Sequence, residues 1–369
     1  MSAQIDLKKN HLQVTDFLAA LLTCAVSGFL LKIPEWFNLP FSEDLYYEKL
    51  GPWSVIFCTT LYLLFRGDVT KTRNKVLSLL CFMIPGLYLF AISPVQNSQS
   101  IPLAYFHAPL VLGCFYGISF MDFHLRNPEK RIEFIRYLGD LICISAIILL
   151  AGGLFMFLSI VLFQSIGIKV EHFYMNYLAI WGLGSTPILA TFVIKNVPAL
   201  NNKLAPMVAT IFSPIVLLTL VIFLIGIPTS NKSICLDRSF LMAFNLMLLG
   251  VMALIVYSAS GFISFERNRF KEVILLFLVF AAIVVDAYAL YAIGFRIEFF
   301  GITPNKLAVL LSNLIIFIHL IWILIDLIGV VANKKTTESV LKTVSKYIPV
   351  YFFYALFIMF VLPLLFSMR

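Results

Sequence analysis

Long apolar blocks constrain this chain more than any other feature. Runs of about 18 or more mostly apolar residues recur along its 369 residues, and a helix of that length crosses about 30 Å of hydrocarbon. The sequence is 61% hydrophobic and 12% charged, whereas a soluble domain carries about 25% charged residues. Short segments of alternating polarity, typical of transmembrane β-barrels, are not seen. The pattern predicts an all-α, polytopic integral membrane protein.

Eleven candidate spans follow one another along the chain. No loop between them is long enough for a soluble domain, so a single transmembrane domain is expected over residues 1–369. The second span is the shortest. The predicted spans cover roughly 16–33, 51–66, 75–93, 101–121, 138–164, 173–194, 206–228, 239–263, 272–294, 305–331 and 346–367.

The basic residues predict an orientation. With the N-terminus in the cytoplasm and the loops alternating, 19 of the 27 Lys and Arg residues fall on the cytoplasmic side. This bias follows the positive-inside rule and predicts an N-in, C-out topology. The net charge of +8 therefore reflects orientation and lipid headgroups, and it does not indicate nucleic-acid binding.

A polar link, RIEFFGITPNK, joins the ninth and tenth spans on the predicted outer side. Gly301 suits a turn with positive φ, Thr303 suits a helix N-cap and Pro304 suits the first helical position. Two interpretations remain open. The link is either an interfacial turn in which Arg296 snorkels to headgroups, or an anion or headgroup site formed by Arg296, Lys306 and the start of span ten.

The same stretch carries a resemblance. YAIGFRIEFFGITPNKLAVL (291–310) resembles the signature of an uncharacterised group of bacterial multi-pass inner-membrane proteins, classed only as a domain of unknown function. In that group an arginine and a hydrophobic-aromatic pair precede Gly-(Ile/Leu)-Thr-x-Asn-(Arg/Lys) and an apolar helix. The resemblance covers about twenty residues; beyond them only the pattern of spans is similar. It implies a bacterial inner (cytoplasmic) membrane and transfers no activity.

Span ten carries a polar residue at every seventh position: Asn305, Ser312, His319, Asp326 and Asn333. Seven residues make nearly two helical turns, so the five residues are predicted to form one stripe about 42 Å long. One interpretation is a packing seam whose hydrogen bonds contribute about 0.6 kcal/mol each. The other is a proton or ion relay in which His319 titrates and Asp326 is its inner partner.

Asp286 in span nine is the second polar feature at membrane depth. An unpaired aspartate there costs about 3 kcal/mol or takes up a proton. We therefore expect a partner: Asn313, which matches it in depth, Tyr288, Tyr291 or a basic group at the outer mouth.

Span six contains GLGSTP (182–187) near its middle. Two glycines, a Ser-Thr pair and a proline together favour a loosened helix. Such a segment is either a discontinuous helix of the kind that lines transporter sites, or a proline kink with small-residue packing.

Three functional classes fit the sequence. We favour a permease-like protein, either a secondary transporter or channel-like, with spans nine and ten as its core. The alternatives are a non-catalytic scaffold, sensor or envelope-assembly subunit, and a membrane enzyme acting on a lipid-linked substrate. The enzyme would use acids of the first outer loop, namely Glu35, Glu43, Asp44 and Glu48.

No catalytic residue, metal site or cofactor is predicted. The expected partners are the lipid bilayer and a small molecule or ion as substrate; no nucleic acid is expected, and the oligomeric state is not indicated. The predicted substrate- or ion-binding residues are Asp286, Arg296, Glu298, Asn305, Lys306, Ser312, Asn313, His319 and Asp326.

Overall fold

A computed structural model describes residues 2–37, 39–92, 95, 98–165, 168–197, 204–226, 238–261 and 268–367. These residues form long helices, and no strand occurs among them. The helices are α1 Ser2–Trp36, α2 Glu43–Arg66, α3 Thr72–Ala91, α4 Ser100–Phe120, α5 Pro128–Ser165, α6 Glu171–Asn196, α7 Leu204–Gly226, α8 Arg238–Ser260, α9 Arg269–Phe300, α10 Pro304–Val331 and α11 Thr337–Leu365.

Eight helices within the described residues are long and apolar enough to cross a membrane. The predicted helical membrane architecture is thereby confirmed, whereas the count of eleven spans and the orientation stay predictions. The helix α2 is not among the eight, and it carries acidic residues in its first turn. The helices α7 and α8 are each 23 residues long, and their apolar parts with described side chains are Thr210–Gly226 and Asn245–Ser260. The basic loops predicted at 195–205 and 264–271 lie largely outside the described residues.

The chain divides into two compact units. The first unit comprises residues 1–93, 105–125 and 137–201, and the second comprises 94–104, 126–136 and 202–369. In the first unit α1 packs on α2 and α6, and α2 also contacts α3 and α6. In the second unit α9 packs on α7, α8 and α10, and α10 contacts α11. All nine predicted binding residues lie in the second unit.

The helix α6 approaches α1 closely at the GLGSTP segment. The Ser27 hydroxyl donates to the Gly184 carbonyl at 2.9 Å, and a Cβ on Gly184 would lie 2.6 Å from a methyl carbon of Leu31. Residues Ile180–Asn196 form a continuous α-helix through Pro187, preceded by a π-helical turn at Tyr174–Ala179. The interpretation of a discontinuous helix at 182–187 is therefore wrong. Its glycine serves close helix packing instead.

The core of the second unit is apolar and is built from residues of α7, α8, α9, α10 and the start of α11. Its buried members include Leu220, Leu248, Leu278 and Leu320. On α9 the neighbours Val285 and Ala289 belong to this core, and both are almost completely buried. Asp286 is therefore next to residues that face the interior of the helix bundle.

Candidate functional site

The link between α9 and α10 has the local structure that its sequence predicts. Gly301 ends α9 with φ of 71°, in the region that favours glycine. The Thr303 side chain accepts a hydrogen bond from the backbone N–H of Lys306 at 3.4 Å, and Pro304 begins α10. The predicted turn, N-cap and helix start are confirmed.

Lys306 caps the preceding helix. Its ammonium donates to the backbone carbonyls of Arg296, Phe300 and Gly301 at 3.2, 3.1 and 2.7 Å. A cation at this position also complements the negative end of the α9 dipole. These contacts give Lys306 a structural role and favour the interfacial-turn interpretation, while its predicted binding role stays a prediction.

The other predicted binding residues near the link between α9 and α10 lie at the surface or make local contacts. Glu298 is exposed, and Arg296 is half-buried. The Asn305 amide donates to the Gln99 side chain at 3.2 Å. Ser312 donates to the Val309 carbonyl of its own helix at 2.9 Å.

The polar stripe of α10 faces α11. Three tyrosines of α11 reach it: the Tyr347 and Tyr354 hydroxyls donate to α10 carbonyls at Ile315 and Ala308, at 3.0 and 3.1 Å, and Tyr351 pairs with His319. The stripe is shorter than expected, because α10 ends at Val331 and Asn333 lies in the following turn with φ of 58°. Asn333 is exposed and does not continue the buried face.

Asp326 has partners other than the predicted His319. One carboxylate oxygen pairs with the Lys335 ammonium and the other accepts from the Thr343 hydroxyl. His319 lies seven residues away, which is about 10 Å along a helix and beyond hydrogen-bonding reach. His319 and Asp326 are therefore not in direct contact, and the predicted relay between them stays a prediction. Asp326 ties the end of α10 to the following link and to α11.

His319 is buried, with 1% of its surface exposed. Its Nδ1 atom lies 2.9 Å from the Tyr351 hydroxyl. The imidazole stacks on the Tyr347 ring, with centroids 4.2 Å apart and planes 14° apart. Its Nε2 atom has no hydrogen-bond partner within the described part of the chain. One nitrogen is thus fixed by a phenol, and the other is unsatisfied.

Asp286 is completely buried, and neither carboxyl oxygen has a hydrogen-bond partner among the described residues. The expected partner is therefore absent there. The Asn313 amide donates instead to the Asn245 side chain of α8 at 2.9 Å. Tyr288 and Tyr291 lie two and five positions after Asp286 on α9, so they are on a different face of the helix. Their side chains are 40% and 65% exposed.

Tyr351 bonds to one of these groups and lies near the other. Its hydroxyl bonds to His319, and it interacts electrostatically with the Asp286 carboxyl, to which it makes no hydrogen bond. We call Asp286, His319 and Tyr351 the Asp–His–Tyr cluster. Sequence reasoning found its first two members and missed the third. The spacing of Tyr347, Tyr351 and Tyr354, which places the three on one helix face, could have indicated it.

An apolar cavity lies elsewhere in the second unit, between α7 and α8. Its volume is about 220 Å³, and no member of the Asp–His–Tyr cluster lines it. The lining residues are Val216, Thr219, Leu220, Met247, Gly250 and Val251.

The first unit contains a charged network that the sequence did not indicate. Asp16 accepts hydrogen bonds from the Tyr62 hydroxyl at 2.8 Å and the Asn196 amide at 2.6 Å. The Arg66 guanidinium lies 3.3 Å from the same carboxylate and also pairs with Asp68. This Asp16 network connects α1, α2 and α6.

Acids at and near the first outer loop mostly have local roles. Glu35 pairs with Lys32 and accepts a hydrogen bond from the Tyr177 hydroxyl at 3.0 Å. Glu43 and Asp44 lie in the first turn of α2, where acids complement the helix dipole, and Glu48 is exposed. The enzyme alternative gains no specific support from these contacts.

No protein-family profile, curated protein or solved structure matches this chain. The resemblance of residues 291–310 therefore stays an expectation, and the functional argument rests on the geometry of the chain itself.

Proposed function

We propose that this chain is a permease-like integral membrane protein, either a secondary transporter or channel-like, for a small molecule or ion. The helices α9 and α10 form its functional core, and α11 contributes Tyr351. The observation that carries the proposal is the burial of Asp286 without a hydrogen-bond partner in the described structure.

A buried polar group without a partner costs roughly 1–3 kcal/mol, and an ionised carboxylate at membrane depth costs about 3 kcal/mol. The surrounding core is apolar, so a leucine would fit the chemistry of the position better than an aspartate. A group that destabilises the fold where it stands is a candidate for function.

The described conformation is closed at this site. Asp286 and His319 are 0% and 1% exposed, so water does not reach them in this state. A transporter must open such a site to each side in turn, and a channel must open a continuous path. The proposal therefore requires a second conformation in which α9 and α10 separate from a neighbouring helix.

The proposal includes eleven spans with the N-terminus in the cytoplasm, in a bacterial inner membrane. It is supported by the eight apolar helices, by the excess of basic residues on alternate loops and by the resemblance of residues 291–310.

Cysteine accessibility tests the proposal. Single cysteines are placed at positions 286, 312, 319 and 326 in a background without the native cysteines. Intact cells that produce each variant are then treated with a small, membrane-impermeant thiol reagent. Labelling at 286 and 312 is expected, because an open state would connect both positions to water from the outer side.

The exposed position 298, at the end of α9, is the matched positive control. Labelling at 298 with none at the four test positions would overturn the permease proposal. A cysteine at Val285 or Ala289 serves as the negative control, since both neighbours face the apolar core.

A non-catalytic scaffold is the second candidate. It is favoured by the contacts of Lys306 and Asp326, because each joins neighbouring segments and neither charge is left unpaired. A scaffold predicts a dry seam between α10 and α11, and the negative labelling result would support it.

A further inference from the structure

We infer that the Asp–His–Tyr cluster is a proton-binding site in which Asp286 holds the proton, and that the proton passes through Tyr351 to His319 in a conformation that brings the Asp286 carboxyl to the Tyr351 hydroxyl. The inference rests on the proposed function, for which it makes the proton the coupling ion.

The chemistry of the cluster favours a proton over a metal cation. Hard metal ions take about six to eight oxygen ligands, or a near-ideal octahedral set. Asp286 contributes two oxygens, and no described hydroxyl or amide group lies within hydrogen-bonding distance of either. Within the described residues no group of three His, Cys, Asp or Glu side chains is placed to hold a metal. A proton needs only one acceptor atom.

Among the side chains that the structure describes, no cation pairs with Asp286. His319 of α10 and Tyr351 and Tyr347 of α11 are the titratable groups on that side. The described core residues of α7 and α8 beside α9, such as Leu220 and Leu248, are apolar. A carboxyl group buried in this way is more stable as the neutral acid.

The charges on neighbouring turns lie further away. Asp326 is paired with Lys335 and is separated from His319 by about two helical turns. On the helix of Asp286, Arg296 and Glu298 lie 10 and 12 positions later, about 15 and 18 Å along the axis. Glu272 lies 14 positions earlier on that helix, about 21 Å along the axis. None of these groups forms an ion pair or hydrogen bond with Asp286.

The proton transfer balances within the cluster. When the Asp286 carboxyl meets the Tyr351 hydroxyl, its O–H bond breaks and the proton passes to the phenol oxygen. The Tyr351 proton passes at the same time to Nδ1 of His319. The products are a carboxylate, an unchanged phenol and an imidazolium, and the reverse transfer restores the neutral acid. Closing the site in the neutral state avoids burying an unpaired charge.

Infrared spectroscopy tests the protonation of Asp286 directly. The full-length protein is reconstituted in phospholipid vesicles, and the carboxylic-acid C=O band is recorded at neutral pH. We expect a band in the native protein that is lost in Asp286→Asn. The band should remain in Glu298→Gln, which changes an exposed carboxylate on the same helix.

A second variant controls for a folding defect in Asp286→Asn. Asp286→Glu keeps a group that can hold the proton, so we expect the acid band to remain at a shifted frequency. If the native protein has no acid band, or if the same band is present in native protein and in both Asp286 variants, the proton site is overturned.

A proton-flux assay in vesicles tests the role of Tyr351. A pH-sensitive dye is enclosed in the vesicles, and proton entry is driven by a potassium diffusion potential. Asp286→Asn and Tyr351→Phe are expected to reduce proton flux at least tenfold. Tyr354→Phe is the matched control, because its hydroxyl lies on the same helix but bonds to the Ala308 carbonyl. Equal flux in Tyr351→Phe and Tyr354→Phe would overturn the link through Tyr351.

The two proposals fail in different ways. An infrared acid band from Asp286 without cysteine labelling would support the proton site and overturn the permease proposal. Cysteine labelling at position 286 without an acid band in the native protein would support a water-accessible path and overturn the proton site.

Discussion

Two buried aspartates, one in each compact unit, have opposite surroundings. Asp16 is 8% exposed, accepts hydrogen bonds from Tyr62 and Asn196, and lies beside the Arg66 guanidinium. Asp286 is 0% exposed and has no hydrogen-bond partner among the described residues. The first carboxylate is satisfied by three groups from two other helices, whereas the second is surrounded mainly by apolar side chains.

The difference separates a structural role from a functional one. A buried carboxylate that is paired with a cation and hydrogen-bonded holds its neighbouring helices together. Removing the carboxylate leaves its partner buried without a counter-charge, so the free-energy cost of desolvating that partner is no longer offset. A buried acid without these partners contributes nothing to packing and lowers stability. The Asp16 network therefore belongs to the fold, and Asp286 belongs to the proposed activity.

The largest expected effect is the loss of the Asp16 carboxylate. Asp16→Ala should lower the free energy of unfolding by about 3 kcal/mol, near the lower limit for a broken buried pair. The loss stays near this limit because Arg66 is 24% exposed and retains Asp68 as a partner. Thermal unfolding of the purified protein in detergent measures the change.

An exposed ion pair provides the matched control for Asp16. Lys130 and Glu133 lie 2.8 Å apart with about half of each side chain exposed. Glu133→Gln should therefore change stability by less than about 1 kcal/mol. Equal losses for Asp16→Ala and Glu133→Gln would contradict a structural role specific to the Asp16 network.

The close approach of α1 and α6 is the second test of the structural region. Gly184→Val should destabilise the protein by about 1–3 kcal/mol, because its Cβ would meet Leu31 at 2.6 Å and the Ser27 hydroxyl at 2.9 Å. Gly182→Ala is the control on the same helix, since no atom lies within 4 Å of the added Cβ. Similar unfolding temperatures for the two variants would refute the close contact.

The third test reverses the sign of the effect. Asp286→Leu should raise stability by about 1–2 kcal/mol, because an unsatisfied polar group is replaced by an apolar side chain in an apolar core. The same variant should lose proton flux in the vesicle assay. A loss of stability as large as that of Asp16→Ala would show that Asp286 supports the fold, and the comparison between the two units would fail.

Local features of the chain were predictable from sequence, because they depend on neighbouring residues. Apolar blocks specify where helices form, and the Gly301, Thr303 and Pro304 series specifies the end of one helix and the start of the next. The seven-residue repeat also placed His319 and Asp326 on one buried face of α10. Each of these patterns acts within a few helical turns.

Partners across helices were not predictable in the same way. The partner of His319 is Tyr351, 32 residues further along the chain, and Asn313 pairs with Asn245 rather than with Asp286. These pairings depend on which helices are adjacent and on how each helix is rotated about its axis. The periodicity of a single helix specifies neither its neighbours nor its rotation. The GLGSTP segment shows the same limit, since its role depends on the presence of α1 beside it.

A third aspartate sharpens the comparison with a smaller effect. Asp122 lies in the turn after α4, where its backbone has φ of 46°. Its carboxylate accepts hydrogen bonds from the Asn74 amide at 2.8 Å and the Thr70 hydroxyl at 2.6 Å. Partial burial raises the pKa of this carboxyl group, but the hydrogen bonds from Asn74 and Thr70, together with the nearby His124, hold the pKa below its ordinary value of 3.8.

Because the folded-state pKa of Asp122 is lowered, its contribution to stability is present above the unfolded-state pKa of about 3.9 and is lost as the pH falls through the folded-state value. Asp122→Asn should therefore unfold at a lower temperature than the native protein at neutral pH, by less than about 1 kcal/mol, and the gap should close in acid. Thermal unfolding over a pH series measures the gap. A gap that widens in acid would mean that the neutral carboxyl is the better bonded form, and hydrogen bonding alone would then not distinguish the satisfied aspartates from Asp286.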